Sequence, residues 1–205
     1  MMALRASPIS ALDAVVDRID ARTNISITDC SLLPRFGVKG PAATGWLATQ
    51  GIQTPAVFNT WSPMQDGQFV ARLGRQEYLV EGEIALRLKA AVRQLPTDVY
   101  PVPRDDAAMI LIGQRLPNLL RQTCNVNFAA LDLNHKPVVL TTMVGVAVLV
   151  LPAVQAGLPC YRLWCDYSYG DYLWRTLLDI MIELGGGVLP FSNLPPESAL
   201  YPRRV

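Results

Sequence analysis

The sequence predicts an α+β fold built from two similar halves, and three observations support it. Short strands and helices follow one another in the order β-α-β-β-α, and this order occurs twice. Gly40 and Gly113 lie 73 positions apart, and each follows a short apolar run and precedes a helical pattern, as an internal repeat requires. With 51% apolar and 17% charged residues, the chain has enough hydrophobic surface for a packed core.

The elements of the first half follow from periodicity and from glycine and proline positions. A helix is expected over residues 8–22, because Leu12, Val15, Val16 and Ile19 recur at helical spacing. Strands and helices then follow in chain order: strands at 24–30 and 35–40, a helix from Pro41 to Gly51, strands at 67–74 and 76–82, and a helix at 84–95.

The second half repeats the pattern. Its expected elements are a strand at 107–113, a helix at 114–124, a Val-rich buried strand or strand pair at 138–151 bent near Gly145, a strand at 160–165 and a helix at 171–184 that Gly185 ends. The segment 98–106, rich in proline, is expected to be an extended connector between the halves.

Composition excludes several classes of function. Eighteen basic and seventeen acidic residues leave a net charge of +1, which argues against a nucleic-acid partner. The apolar segment 138–151 is shorter than the roughly 20 residues that a membrane-spanning helix needs. The first apolar segment is interrupted by Asp13, Asp17 and Asp20, so we expect no secretory signal and a cytoplasmic location.

Most candidate chemical sites have a simpler structural interpretation. In the glycine-containing loop at 33–51, Lys39 precedes Gly40 and Pro41 removes a backbone amide, so a turn is favoured over a phosphate site. The single histidine, His135, lies in a polar stretch typical of an exposed turn. We expect the cysteines to be reduced thiols without a metal pair; they are Cys30, Cys124, Cys160 and Cys165.

Six of the sixteen aromatic residues fall within residues 161–174. We interpret Trp164 and Trp174 as core residues. The tyrosines of this segment suit a protein interface or a flat ligand pocket as well as they suit packing, and the sequence leaves these alternatives open.

Several segments together resemble the gamma subunit of heterotetrameric sarcosine oxidase, which is similar in turn to the folate-binding aminomethyltransferase superfamily. The likeness runs from about residue 27 to residue 187 and includes "DCSLLPRFGVKGPAATGWLATQGI" and "YRLWCDYSYGDYLWRTLLDIMIELGGG". The residues that match the pattern opening such domains are Asp29, Ser31, Gly37, Gly40, Pro41 and Ala42.

The resemblance implies a subunit of an enzyme that demethylates sarcosine oxidatively to glycine, a one-carbon unit and hydrogen peroxide. It implies alpha, beta and delta subunits as partners, with alpha as the main contact. It places FAD, FMN, NAD, tetrahydrofolate and zinc on those other subunits. It also implies antiparallel sheets like those of the N-terminal folate-binding domains of the glycine-cleavage T-protein, although this chain is about half as long.

The resemblance and the residue patterns lead to one domain scheme. We expect an N-terminal helical arm at 1–26, a first aminomethyltransferase-like half at 27–96, a second half at 97–187 and a proline-rich tail at 188–205. No catalytic, cofactor-binding or metal-binding residue is expected in this chain. The expected partner-interface residues are Arg35, Lys39, Tyr161, Arg162, Asp166, Tyr167 and Tyr169.

Two further hypotheses belong to other functional classes. A stand-alone folate-binding one-carbon carrier would hold the pterin with a carboxylate from Glu81, Asp132 or Asp166. A thiol-dependent enzyme would use Cys124 or Cys165.

Overall fold

The computed structural model describes residues 6–9 and 24–194. This part of the chain forms the strands and helices β1 (Ser26–Asp29), β2 (Arg35–Lys39), α1 (Ala43–Thr49), β3 (Thr60–Pro63), β4 (Phe69–Arg72), β5 (Glu77–Glu81), α2 (Ile84–Ala90), β6 (Tyr100–Val102), β7 (Ala107–Ile112), α3 (Leu116–Thr123), β8 (Val139–Met143), β9 (Val146–Gln155), β10 (Leu158–Cys165), α4 (Gly170–Glu183) and β11 (Gly187–Val188). The α+β class expected from the sequence is confirmed.

The described chain divides into two compact units. Unit 1 contains residues 6–9, 24–32, 105–133 and 139–194, and unit 2 contains residues 33–104 and 134–138. Each unit has its own sheet.

The sheet of unit 2 is antiparallel, with the strand order β3-β4-β5-β2-β6. Phe36 and Val38 point from β2 to the same side, as the alternation in the sequence predicts, and they belong to one buried cluster with Trp46 and Leu47 of α1. The Phe36 and Trp46 rings lie 5.9 Å apart between centroids. Helix α2 adds Leu88 to this core.

The sheet of unit 1 has the order β11-β1-β7-β10-β9-β8. All of its strand pairs are antiparallel except β1 with β11, which is parallel. Strands β8 and β9 form a hairpin that turns at Val144 and Gly145. Of the two alternatives expected over 138–151, a single strand or a strand pair, the structure has the pair.

One face of this sheet carries the core of unit 1. Alternate residues of β10, Tyr161, Leu163 and Cys165, belong to the cluster, together with the apolar stripes of α3 and α4. Cys160 lies in the same strand at odd spacing from Cys165, so the two thiols point to opposite faces, as expected.

Helix α4 shows how the sequence pattern positions an element. Its apolar stripe at helical spacing is buried over Leu173, Trp174, Leu177, Leu178 and Met181. The stripe ends before Ile182, which is exposed. Gly185 then adopts a positive φ just beyond the helix, where the sequence predicts its end.

The two units repeat one arrangement. Each has a central strand followed by a helix, a three-strand meander and a second helix, and the meander lies beside the central strand in the order β3-β4-β5-β2 in unit 2 and β8-β9-β10-β7 in unit 1. The other side of the central strand is taken by β6 in unit 2 and by β1 in unit 1. The expected duplication is therefore present.

Several boundaries differ from the sequence expectations. Strand β3 was not anticipated, because it is a four-residue edge strand that ends in Pro63 and has no long apolar run. Part of the expected connector forms β6, since its backbone pairs with β2. Helix α2 ends at Ala90 and continues as a 3-10 turn to Gln94.

Two expectations fall on residues that are not described. The helix expected over 8–22 lies outside the described residues from position 10 onward, and the tail does so from position 195 onward. Within the part of the chain that the structure describes, no helix is long and apolar enough to cross a membrane.

Candidate functional site

The most exposed cluster of aromatic side chains follows β10. Here we call residues 166–172 the tyrosine segment. Asp166 opens it, and its carboxylate accepts hydrogen bonds from the backbone N–H of Ser168, at 2.9 Å, and from the Ser168 hydroxyl, at 2.5 Å. These bonds lower the pKa of Asp166 and fix the entry of the chain into the 3-10 turn before α4.

The tyrosine segment presents its phenol rings to solvent. Tyr167, Tyr169 and Tyr172 are exposed, and the Tyr172 hydroxyl donates to the carbonyl of Val144 at 3.3 Å. Tyrosine rings offer large apolar area with few rotatable bonds, so an ordered set of exposed rings suits a protein interface.

The structure separates the expected interface residues into two groups. Lys39, Asp166, Tyr167 and Tyr169 are exposed and available to a partner. The other three are buried within the chain; they are Arg35, Tyr161 and Arg162.

Arg35 and Glu81 form a buried pair in unit 2. They lie opposite each other on β2 and β5, with Nε and Oε2 4.0 Å apart, and their side chains are 0% and 1% exposed. Two charges removed from water in this way depend on each other, because either one alone would be an uncompensated buried charge. Glu81 is thereby committed to a structural contact, which counts against it as a pterin ligand.

Arg162 is buried in unit 1, where its contacts include a thiol and an aromatic ring. One of its terminal nitrogens donates to the Cys30 sulfur at 3.6 Å, and its guanidinium carbon lies 5.4 Å from the centre of the Trp164 ring. Trp164 and Trp174 are both buried, so their expected core role is confirmed. The stacked guanidinium and indole are typical of a cation–π contact that holds an arginine in a packed interior.

The thiols and the histidine differ in their exposure. Cys165 is buried, and burial first, then the charges of Asp106 and Asp166, raise its pKa to about 12, so it stays protonated at neutral pH. Cys124 is partly exposed and its sulfur lies 3.7 Å from the Thr141 hydroxyl. His135 is exposed in a 3-10 turn, as expected.

The remaining carboxylates of the carrier hypothesis are at the surface. Asp132 and Asp166 are both exposed side chains of unit 1. Among the described residues, no group of three or more histidine, cysteine, aspartate or glutamate side chains is placed to hold a metal ion.

Sequence reasoning missed a cavity in unit 1, which we call the α3 cavity. It has a volume of about 640 Å³ and lies between α3, the loop at 124–133 and the β9–β10 hairpin. Its lining includes Leu120, Arg121, Cys124, Phe128 and Tyr161. The only local sign of this cavity in the sequence is the polar "NVN" between α3 and Phe128. Nothing in the sequence indicates that this loop lies near β10.

Comparisons with known proteins support the fold. No protein-family model matches the chain, and no curated protein matches its sequence. Among solved structures, a chain of the heterotetrameric sarcosine oxidase from Corynebacterium sp. U-96, in complex with pyrrole 2-carboxylate, is similar with a TM-score of 0.63 and 20% identity. That match covers 81% of this chain and 88% of the other.

A second similar structure is the glycine cleavage system aminomethyltransferase T from Bartonella henselae, with a TM-score of 0.55 and 13% identity. The match covers 83% of this chain and 48% of that protein, so this chain spans about half its length. The chain therefore has the fold that aminomethyltransferase T and a chain of heterotetrameric sarcosine oxidase share.

Proposed function

We propose that this chain is a non-catalytic gamma subunit of a cytoplasmic complex of the heterotetrameric sarcosine oxidase type. The observation that carries the proposal is the coverage of the sarcosine oxidase match. The likeness takes in 88% of that chain and 81% of this one, so the two chains are of similar length and share the fold over most of it. Such coverage favours a small separate subunit as the counterpart of this chain, because a match to one domain of a large subunit would cover only part of that subunit.

The surface of the chain supports a role in assembly. The tyrosine segment is ordered by Asp166, and other large apolar side chains are exposed elsewhere; these include Leu32, Val57 and Phe58. Exposed apolar and aromatic groups of this kind favour association with a partner protein. The partner we propose is the alpha subunit, on its folate-binding part, with beta and delta completing the complex.

The buried positions of charged and thiol groups fit the same role. Glu81 is engaged with Arg35, and Cys165 is held in its protonated form. Redox and one-carbon chemistry would then belong to flavin, NAD, folate and zinc sites on the other subunits.

Co-purification tests the proposal. The chain, carrying an affinity tag, is co-expressed with the reading frames adjacent to its own gene, and the purified material is examined for flavin absorbance and for hydrogen peroxide formed from sarcosine. We expect a stoichiometric complex with both properties. A monomer that captures no flavoprotein, or sarcosine oxidation by the isolated chain, would overturn the proposal.

Variants of the tyrosine segment sharpen the test. Replacing Tyr167 and Tyr169 together by Ala should weaken association at least about tenfold, because exposed aromatic anchors dominate interface energies. Tyr100→Ala is the matched control, since Tyr100 is an equally exposed tyrosine outside the segment. Equal effects of the two changes would exclude this segment as the contact.

A stand-alone folate carrier is the second candidate, favoured by the likeness to aminomethyltransferase T. Calorimetric titration of the isolated chain with tetrahydrofolate distinguishes the two candidates. Micromolar binding favours the carrier, whereas the subunit role predicts no binding until alpha is present.

A further inference from the structure

Tyr161 brings a phenol hydroxyl to the wall of the α3 cavity. Tyr161 lines the cavity and is only 7% exposed. Its ring packs against Phe128, with centroids 5.2 Å apart. A tyrosine hydroxyl in the wall of a cavity can donate a hydrogen bond to a bound molecule.

Burial also fixes the form of this hydroxyl. The pKa of Tyr161 is raised by desolvation, so the phenol is a neutral donor throughout the physiological range. A ligand that supplies an oxygen acceptor would satisfy it.

The charge of the cavity has one sign. Arg121 is the only charged side chain among the described residues that line it, and Arg121 makes no ion pair with any described residue. Asn125 and Asn127 add amide groups on the same side of the loop. A guanidinium with unused donors next to an apolar cavity binds a carboxylate in preference to a neutral or cationic group.

The rest of the lining is apolar. The walls come from Leu120 and Pro117 of α3, from Val126 and Leu131 of the loop, and from Val154 of the hairpin. A volume of about 640 Å³ is in the range of sites that enclose small organic ligands. The lining therefore combines an apolar body, one anion site and one hydrogen-bond donor.

We propose that the α3 cavity binds a small organic acid with an apolar body. The carboxylate of this ligand pairs with Arg121, and a further oxygen atom of the ligand accepts a hydrogen bond from the Tyr161 hydroxyl. The site lies wholly within unit 1 and needs no partner subunit. It is therefore independent of the subunit role proposed above.

Calorimetric titration of the full chain with 6-methoxy-2-naphthoate tests this proposal. The probe carries a carboxylate and an ether oxygen at opposite ends of a rigid apolar body. Two related compounds isolate the contacts: 6-methoxy-2-naphthamide lacks the charge, and 2-naphthoate lacks the ether oxygen.

Each contact predicts its own pattern of affinities. Arg121→Gln should weaken binding of the methoxy acid about tenfold or more and leave the amide almost unchanged. Tyr161→Phe should weaken binding of the methoxy acid about threefold to tenfold and leave the affinity for 2-naphthoate unchanged. Arg93→Gln, which changes an exposed arginine of unit 2, is the control and should have no effect.

Cys124 gives a second readout that does not depend on heat of binding. It lines the cavity, so the bound probe should slow its alkylation by iodoacetamide. The proposal is overturned if the methoxy acid does not bind at millimolar concentration, or if it binds the Arg121 and Tyr161 variants as well as the parent chain and leaves Cys124 unprotected.

Discussion

Gly40 and Gly113 make the same turn in the two units. Each follows a central strand, each has a φ in the positive region, 124° and 141°, and each carbonyl accepts from the amide three residues on, that of Ala43 or Leu116. A Cβ on Gly40 would overlap the carbonyl oxygen of Asp98, and a Cβ on Gly113 would overlap that of Asn24. The repeat thus preserves a close approach of two backbones as well as a strand order.

Alanine at either glycine should destabilise the protein. Gly40→Ala and Gly113→Ala should each lower the free energy of unfolding by more than about 2 kcal/mol, because strain at positive φ adds to a clash with backbone. Urea unfolding followed by tryptophan fluorescence measures the change. Gly45→Ala is the control, since Gly45 lies inside α1 with open space around it and should gain about 0.5–1 kcal/mol.

The buried pair in unit 2 predicts strong coupling between two positions. Arg35→Leu alone should cost about 3–5 kcal/mol, because Glu81 would remain buried without its partner. The double change to Leu at both positions should recover most of that loss. Double-mutant analysis of urea unfolding measures the coupling, and additive losses would contradict it.

A pair in the same unit that is partly open to water is the matched control. Arg104 and Glu77 lie 2.8 Å apart, but the Glu77 side chain is partly open to water. Glu77→Gln should therefore cost less than about 1 kcal/mol.

The cysteines should differ sharply in reactivity. Cys124 is partly exposed, whereas Cys30, Cys160 and Cys165 are buried. Brief treatment with iodoacetamide at pH 8, read by peptide mass spectrometry, should modify Cys124 first. In urea all four should react at similar rates, and fast labelling of native Cys165 would contradict the account and revive the thiol-enzyme hypothesis.

Stability should fall at alkaline pH because of Cys165. Its pKa is about 12 in the folded chain against 9.0 ordinarily, so the folded state holds this proton more tightly. The resulting stabilisation is complete below pH 9 and is lost as the pH rises toward 12. By pH 11 the free energy of unfolding should drop by about 1–3 kcal/mol.

Cysteine variants identify the source of this loss. Cys165→Ala should reduce the loss of unfolding free energy at alkaline pH. Part of the loss should remain, because the pKa of Tyr161 is also raised. An identical pH profile for the parent and for Cys165→Ala would show that the thiol does not contribute.

Periodicity anticipated most of the fold because burial here follows local pattern. The apolar stripe of α4 and the alternation around Phe36 and Val38 each have a core on one side, so hydrophobic spacing is enough to identify them. Strand β3 was not predicted, because few residues of this edge strand are buried and the hydrophobic pattern is therefore weak.

The sites were less predictable because they depend on partners far away in sequence. Arg35 was read as a surface charge, and only the pairing of β2 with β5 brings Glu81 opposite it. Tyr161 was grouped with exposed tyrosines a few residues on, but its strand position turns it inward against Phe128. Local spacing carries no signal for contacts of this kind.

The central strand is flanked by β6 in unit 2 but by β1 in unit 1, and this difference affects the order in which the two sheets can form during synthesis on the ribosome. All five strands of unit 2 lie within residues 35–102, so its sheet can close while the later part of the nascent chain is still being made. Strand β1 emerges earlier but must wait for β7, and its other edge stays open until β11 at residues 187–188 has been translated. The earliest strand among the described residues is thus among the last to have both its neighbours, and a stalled or truncated product would display that edge to other chains.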